Sequence, residues 1–459
     1  MKTALGLSVA TSAALLLDGA VAATSGKFNV LSMNVAGLPA ILNGNEVPGD
    51  KATNSRLIGS KFAEYGYDAI HVQEDFNYHA YIYATDNHPY RTATSGGVPF
   101  GSGLNTLSKY DWVSFRRIKW DQCSNASGAD CLTPKGFTFM RLALSGSSDN
   151  PSTAVYVDVY NLHTDAGTEA DDLTARQANL NQVAAYIAAW STGNAVLVFG
   201  DTNSRYSRAG DTAVRSLLSS GFADPWVQLQ RGGVVPTLES LCDNPSRNNT
   251  CETVDKIFYR SSPLVTLAAT AFRYESARFL QANGSILSDH NPVYAEFSWA
   301  TTTTTASSSP LQLQQSAFFG GDYGTWFSDV PTLSSKTTTT KPKPATLTFR
   351  GASRLDSVSL TLTDGTTFTH GGTGGTASSL ALAGGEYWVR VELCKGEKDG
   401  HTTRNFYIKA VTSSGRTLAA GTATASCATF AAPEGWHIVG FLGQAGDEVD
   451  QLAFVYAPK

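Results

Sequence analysis

The sequence predicts an α/β domain followed by an all-β domain. Three observations carry this reading. The chain has 459 residues, too many for one ordinary domain. Between Phe28 and Trp299, apolar strand-like runs alternate with helical patterns, and several runs end in Asn, Glu, Asp or His. After a Thr/Ser run at 301–309, the pattern becomes short alternating strands separated by Gly-rich turns.

Composition narrows the class. The hydrophobic fraction is 42% and glycine occurs 42 times, which suits turn-rich globular structure rather than disorder or a coiled coil. A net charge of −5 argues against a broad basic surface for duplex nucleic acid. Lys2, the apolar stretch Ala4 to Leu17 and the small-x-small step Ala20-Val21-Ala22 read as a secretory signal over 1–22. No later run is long enough to span a bilayer, so the expected product is an extracellular monomer beginning near Ala23. Six cysteines suit that compartment and fall into three sequence-near couples: Cys123 with Cys131, Cys242 with Cys251, and Cys394 with Cys427. Fifteen connectivities are possible, and proximity alone favours this one; no CxxC spacing supports a zinc site. Acceptor sequons at Asn125, Asn248 and Asn283 point the same way.

The elements follow in order. Phe28 to Val35 reads as a buried strand carrying Asn34 near its end, and Asn54 to Tyr65 as a helix. Asp68 to Glu74 is a strand that places the Glu74 carboxylate at its carboxyl end, where sheet-based sites collect ligands. Gly103 to Lys109 and Trp112 to Trp120 look like a strand pair, and Thr138 to Leu144 is a further strand; Lys135 before it reads as a surface charge. Val155 to His163 alternates cleanly and ends at an imidazole, and Asp171 to Trp190 shows the clearest helical face. Ala195 to Asp201 is nearly all apolar, as in a central strand, and Asp201 and Asn203 point the same way if the extended geometry persists. Asp255 lies in the apolar run Thr253 to Tyr259, where a buried carboxylate needs a partner such as an imidazolium. Asp289-His290 directly precedes the last run: the carboxylate is a hard ligand for Mg²⁺, and the imidazole can move a proton near neutral pH.

Ser-Met-Asn34, Gln-Glu74, Asn-Leu-His163-Thr, Gly-Asp201-Thr-Asn203, Val-Asp255-Lys-Ile-Phe and Ser-Asp289-His290-Asn-Pro-Val occur in the order found in the endonuclease/exonuclease/phosphatase family. The region resembles that family, which includes deoxyribonuclease I and neutral sphingomyelinases, from about Phe28 to Trp299, within an expected domain over 23–299. The resemblance implies a four-layered α/β sandwich with helices outside two packed sheets. It implies that Glu74, with Asn34 close by, holds a catalytic Mg²⁺ (or Mn²⁺) and that Asp289 ligates metal or water. It further implies that Asp201 and Asn203 hold phosphate, nucleophile or metal, that His290 is a general base oriented by Asp255, and that His163 stabilises charge on the phosphoryl oxygens. The segment Cys131 to Phe137 is similar to the Lys-Gly segment of secreted sphingomyelinases, so the leading expectation is a sphingomyelinase-like phosphodiesterase. Its alternatives are a nuclease, an inactive fold serving as a binding protein, and a sugar or inositol phosphate phosphatase.

Residues 300–315 read as a linker. From 316 to 459, Phe318-Phe-Gly-Gly321, His370-Gly-Gly-Thr-Gly-Gly375 and Ile438 to Gly443 resemble the jacalin-like lectins, which implies a β-prism of three four-stranded sheets. The resemblance also implies a glycan site at Gly446, Asp447, Glu448 and Asp450, completed by Gly321. Asp447 and Glu448 stand where relatives often carry an aromatic residue. Lys336 to Pro344 reads as a loop inside this domain.

Overall fold

The computed structural model describes residues 23–38, 47–96, 101–147, 150–301, 311–336, 340–400 and 402–459. The signal sequence expected at 1–22 and most of the Thr/Ser run lie outside them. Among the described residues, the α/β half contains strands β1 (Ser25–Asn34), β2 (Ala69–Gln73), β3 (Tyr90–Arg91), β4 (Asn105–Ser108), β5 (Trp112–Lys119), β6 (Gly136–Ser147), β7 (Asn150–His163), β8 (Ala195–Asp201), β9 (Asp255–Arg260), β10 (Val265–Tyr274) and β11 (Val293–Thr301). One sheet runs β10-β11-β1-β2-β4-β3; the other carries β9-β8-β7-β6-β5. Among the described strands of these sheets, only β1–β2 and β7–β8 pair in parallel.

The period-2 alternation of β1 builds both layers beside it. Phe28 and Val30 enter the core between the sheets, and Leu31 and Met33 enter the core that also holds Ile58 and Phe62 of the helix Lys51–Tyr65. Each such side chain, fully buried, contributes roughly 1.5–3 kcal/mol. The helix starts three residues before the sequence pattern places it, because the Asp50 side chain caps the Thr53 amide at 2.8 Å. In β8 every residue from Ala195 to Asp201 is buried, which explains its apolar run.

Two expectations about strands need correction. Asn105–Ser108 and Trp112–Lys119 do not pair with each other: β4 pairs with β2 and β3, and β5 pairs with β6 in the other sheet. The short connection between them crosses from one sheet to the other. Asp255 is not inside a strand but is the first residue of β9, which runs antiparallel to β8 with Asp255 opposite Asp201.

The C-terminal half has two four-stranded sheets, one from Pro344–Gly351, Leu355–Leu362, Thr367–Gly371 and Thr376–Ala381, the other from Trp388–Lys398, Thr402–Thr412, Thr417–Gly421 and Ser426–Ala431. The third group of strands does not stand apart. Strand β12 (Gln314–Gln315) pairs on one side with Val449–Pro458 and on the other with β7, through Gln315 opposite Ala154. A sheet therefore runs continuously across both halves. Residues 311–315, expected to be linker, belong to packed structure, with Leu311 and Leu313 buried. All three sequence-near cysteine couples are disulfide-bonded.

Candidate active site

One rim of the sandwich gathers the carboxyl ends of β1, β2, β7 and β8 and the amino ends of the antiparallel strands β9 and β11. Asn34, Glu74, His163, Asp201, Asp255, Asp289 and His290 sit on it, within or next to those strand ends. The Asn34 amide is the hub. Its Nδ2 donates to Glu74 Oε1 at 3.0 Å and to Asp201 Oδ2 at 3.1 Å, and lies 3.5 Å from His290 Nε2. Its Oδ1 accepts from the Ala36 amide at 3.0 Å, so the nitrogen and not the oxygen faces the carboxylates. Asp201 Oδ2 also lies 3.5 Å from His163 Nε2 and 3.8 Å from His290 Nε2. His290 Nδ1 is 2.8 Å from Asp255 Oδ2. Ser288 fixes the approach to β11: its hydroxyl donates to the Asn34 carbonyl at 2.6 Å and accepts from the His290 amide at 3.1 Å.

Among the described residues, the backbone strain of non-glycine positions concentrates here. Of the four non-glycine residues with positive φ among the described residues, three are at the rim: Ala36 at 50°, Glu74 at 56° and Asn203 at 46°. Such angles cost ~1–3 kcal/mol each and persist where the surroundings impose them, commonly at functional sites. The left-handed turn at Asn203 overturns the expectation that its side chain follows that of Asp201. The extended geometry ends at Asp201, and Asn203 Nδ2 donates to the Thr164 carbonyl at 3.1 Å.

Burial separates the two imidazoles. His163 is 2% exposed, and burial, with the nearby Lys135 cation, lowers its pKa to about 4, so it is neutral at physiological pH. For His290, burial opposes the charged form, but the Asp255 and Asp201 carboxylates outweigh it and raise the pKa well above the usual histidine value. Asp201 is likewise opposed by burial, yet the two imidazoles and the Asn203 amide hold it ionised.

Beneath the rim, a polar layer fixes the spacing of the two sheets. Gln73 Nε2 of one sheet donates to Asn161 Oδ1 of the other at 2.8 Å, and Asn161 Nδ2 donates to the carbonyls of Val72 and Asn105 at 3.0 and 3.1 Å. Sequence reasoning missed Asn161; its only signal is a buried amide inside the apolar run Val155 to His163. It also missed Lys51, which is 8% exposed and donates from Nζ to the Ala36 carbonyl at 2.5 Å. Burial lowers the pKa of that ammonium, and Asp289 and Glu74 oppose the shift. No pattern in the sequence marks it.

Two cavities open at the mouth. One of ≈ 440 Å³ is lined by Glu74, His163, Lys135, Phe76 and Leu132. The other, of ≈ 280 Å³, is lined by Asp255, Asp289, His290, Arg205, Arg208 and Leu241. Lys135, expected to be a surface charge, instead pairs with Asp130 inside the first cavity.

The donor set fits a hard divalent cation. Asp201, Asp255 and His290 present ligand atoms within 4.8 Å of one another. Within that group His290 Nδ1 and Asp255 Oδ2 bond to each other, which leaves His290 Nε2, Asp255 Oδ1 and the Asp201 carboxylate as the remaining donor atoms.

In the C-terminal half, the Gly321 amide donates to the Asp450 carbonyl at 3.0 Å, so Gly321 adjoins the 446–450 segment. Glu448 is turned inward, accepting from Arg354 Nε at 2.8 Å and Arg404 Nη1 at 2.6 Å. The Asp450 carboxylate is 3.6 Å from Arg404, and Asp447 is exposed. Asn125, Asn248 and Asn283 are all exposed.

These features agree with the comparisons to known proteins. Residues 50–296 match the model of endonuclease/exonuclease/phosphatase family 2, more than half of the chain, and the chain belongs to that family. Residues 316–455 match the jacalin-like lectin domain. A sphingomyelinase of Mycobacterium bovis is 37% identical over 280 residues, which cover 60% of this chain and 53% of that protein. The chain thus spans about half the length of the curated relatives it matches. Among solved structures, sphingomyelinase C from Streptomyces griseocarneus has 19% identity and a TM-score of 0.41 over 59% of this chain and 99% of its own. A mannose-binding jacalin-related lectin from Ananas comosus has 22% identity and a TM-score of 0.28 over 32% of this chain and 99% of its own. The molecule is a deoxyribonuclease I-like α/β sandwich joined to a jacalin-like β domain.

Proposed function

We propose that the protein is a secreted phosphodiesterase of the sphingomyelinase type, dependent on Mg²⁺ or Mn²⁺, with glycan binding by its C-terminal half. The observation that carries this reading is the convergence of Asn34, Glu74, Asp201, Asp255 and His290 into one hydrogen-bonded cluster from five separate strand ends. Glu74, Asp201 and Asp289 would hold the cation, which supplies charge neutralisation at the phosphoryl oxygens. His290 takes the proton of the attacking water at Nε2, and Asp255 holds the ring through Nδ1. His163, neutral and fixed beside Asp201, donates a hydrogen bond to the developing oxyanion. Asn203, anchored to Thr164, shapes the turn that aims Asp201.

The rim favours a lipid over a nucleic acid. Leu132 is 77% exposed at one cavity, and Leu241, 53% exposed, lines the other, next to Leu238 at 82%. Leucines on both sides of a polar mouth suit an apolar interface, whereas a nuclease mouth needs cations free for the phosphate track, and the cations here, Lys135, Arg205 and Arg208, pair with Asp130, Glu239 and Asp211. Glycan contact is assigned to Gly321, Gly446, Asp447 and Asp450, with Glu448 bracing the loop. Export and glycosylation at Asn125, Asn248 and Asn283 are part of the same reading.

The test is hydrolysis of sphingomyelin, DNA and inositol phosphates in parallel, with and without chelator. Sphingomyelin cleavage that requires the divalent cation is expected. Cleavage of DNA alone would move the substrate class, and cation-independent hydrolysis would end the proposal.

A further inference from the structure

A buried cation in the α/β half is covered by the lectin half. Arg141 of β6 is fully buried and bonded to Asp158 of β7, from Nε to Oδ1 at 2.7 Å and from Nη2 to Oδ2 at 2.9 Å; the same Nη2 reaches the Trp190 carbonyl at 2.9 Å. The face of its guanidinium lies 3.8 Å from the ring of Trp326, which belongs to the C-terminal half. Trp326 is itself buried and donates from Nε1 to the Thr192 carbonyl at 3.2 Å.

The contact around this pair is close and specific. Gly193 has φ +90°, and a Cβ there would meet Ser328 Oγ at 2.5 Å and Val330 Cβ at 3.0 Å. A side chain at 193 would therefore press on the Ser328 and Val330 side chains, and the positive φ itself favours glycine. Along β7, the Ala317 amide donates to the Pro151 carbonyl at 2.9 Å, the Phe318 amide to the Tyr156 hydroxyl at 3.3 Å, and the Ala431 amide to the Ser152 hydroxyl at 3.1 Å. Strand β8 covers one edge of β7 only from Val157 to His163. The edge ahead of it, at Ala154, is covered by β12. An open strand edge and a half-covered charge are both features that folded proteins avoid.

From these contacts we infer that the outer face formed by β5, β6 and β7 is a docking surface whose one occupant is this chain's own lectin half, and that the two halves fold and move as a single body. The lectin is then not a module swinging on a tether. It completes the strand that ends in His163, and the 446–450 segment and the catalytic mouth keep one fixed relation. This inference stands on packing alone and does not depend on which substrate the rim cleaves.

The experiment uses the full chain. Calorimetry is run on wild type, Trp326→Ala and Gly193→Val, and native-state amide exchange is followed in residues 152–160. Neither substituted residue belongs to the catalytic rim or the glycan segment. Wild type is expected to unfold in one transition that includes both halves. Trp326→Ala should lower it by roughly 5–10 °C and speed exchange in 152–160 by about tenfold or more. Gly193→Val, a wedge from the catalytic side, should do the same. If Trp326→Ala does not fold, Trp326→Phe retains an aromatic face and should give an intermediate shift. Two separate wild-type transitions, or unchanged exchange in 152–160 in the variants that fold, would overturn the inference.

Discussion

Replacing Asp255 with asparagine isolates the charge that governs the proposed base. The carboxylate accepts from His290 Nδ1 at 2.8 Å and is 4% exposed. Asparagine has the same shape and keeps an acceptor oxygen, so the ring stays in place and only the negative charge is lost. A hydrogen bond to a charged group contributes ~1.5–3 kcal/mol and a neutral one ~0.5–1.5. The difference, ~1–1.5 kcal/mol, corresponds to about one pKa unit. Asp255 is the largest of the groups that raise the His290 pKa, so its removal must lower it. The acid limb of kcat/KM, where His290 gains a proton and stops acting as a base, therefore moves about one unit toward lower pH. Turnover falls at the same time, by ~10²–10⁴-fold if the base is lost entirely. The assay is a pH profile of Asp255→Asn and wild type at saturating divalent cation, on whichever ester the wild type cleaves. An unmoved acid limb with undiminished turnover would refute the His290–Asp255 reasoning.

Other expectations follow from the same geometry. Chelation should abolish hydrolysis and lower Tm, and Mg²⁺ at a hundred times its Kd should restore about 2.7 kcal/mol of stability, measured by thermal melts across a Mg²⁺ titration. Burial lowers the pKa of His71 to about 3, and those of His163 and His437 to about 4, from an unfolded value of 6.5. Between 6.5 and 4 the unfolded chain binds more protons, so these groups cost nothing above 6.5 and destabilise the fold as pH falls, each by up to about 1.4 kcal/mol per unit. Urea midpoints at about pH 7 and pH 5 should show the loss; equal midpoints would contradict it. The double variant Leu132→Asp, Leu241→Asp should weaken binding to sphingomyelin vesicles by at least about tenfold while leaving hydrolysis of a soluble ester unchanged, as read by co-sedimentation and turnover.

Much of the site could be read in the sequence because its residues interrupt apolar strands at their ends. Asn34, Glu74, His163 and Asp201 all announce themselves this way, and the Asp255–His290 bond answers the demand that a buried carboxylate find a partner. What escaped depends on backbone angles and on distant chain. Asn203 sits two residues after Asp201, yet its left-handed φ ends the extended geometry, and its side chain bonds the Thr164 carbonyl. Asp255 opens a strand instead of lying within one, because antiparallel strands reach the rim from their amino ends. Lys51 and Asn161 gain their roles only when two sheets and a helix are assembled. The same holds between halves. A Thr/Ser run reads as a tether, but just after it Leu311 and Leu313 are buried, and β12 is paired with strands more than a hundred residues away on both sides.

Soaking crystals of the intact chain with Mn²⁺ and recording the anomalous signal tests the catalytic centre itself. The expected map has a peak bounded by the carboxylates of Glu74, Asp201 and Asp289, within reach of the water that His290 would deprotonate. A strongest peak away from this rim, or none at saturating Mn²⁺, would contradict the account.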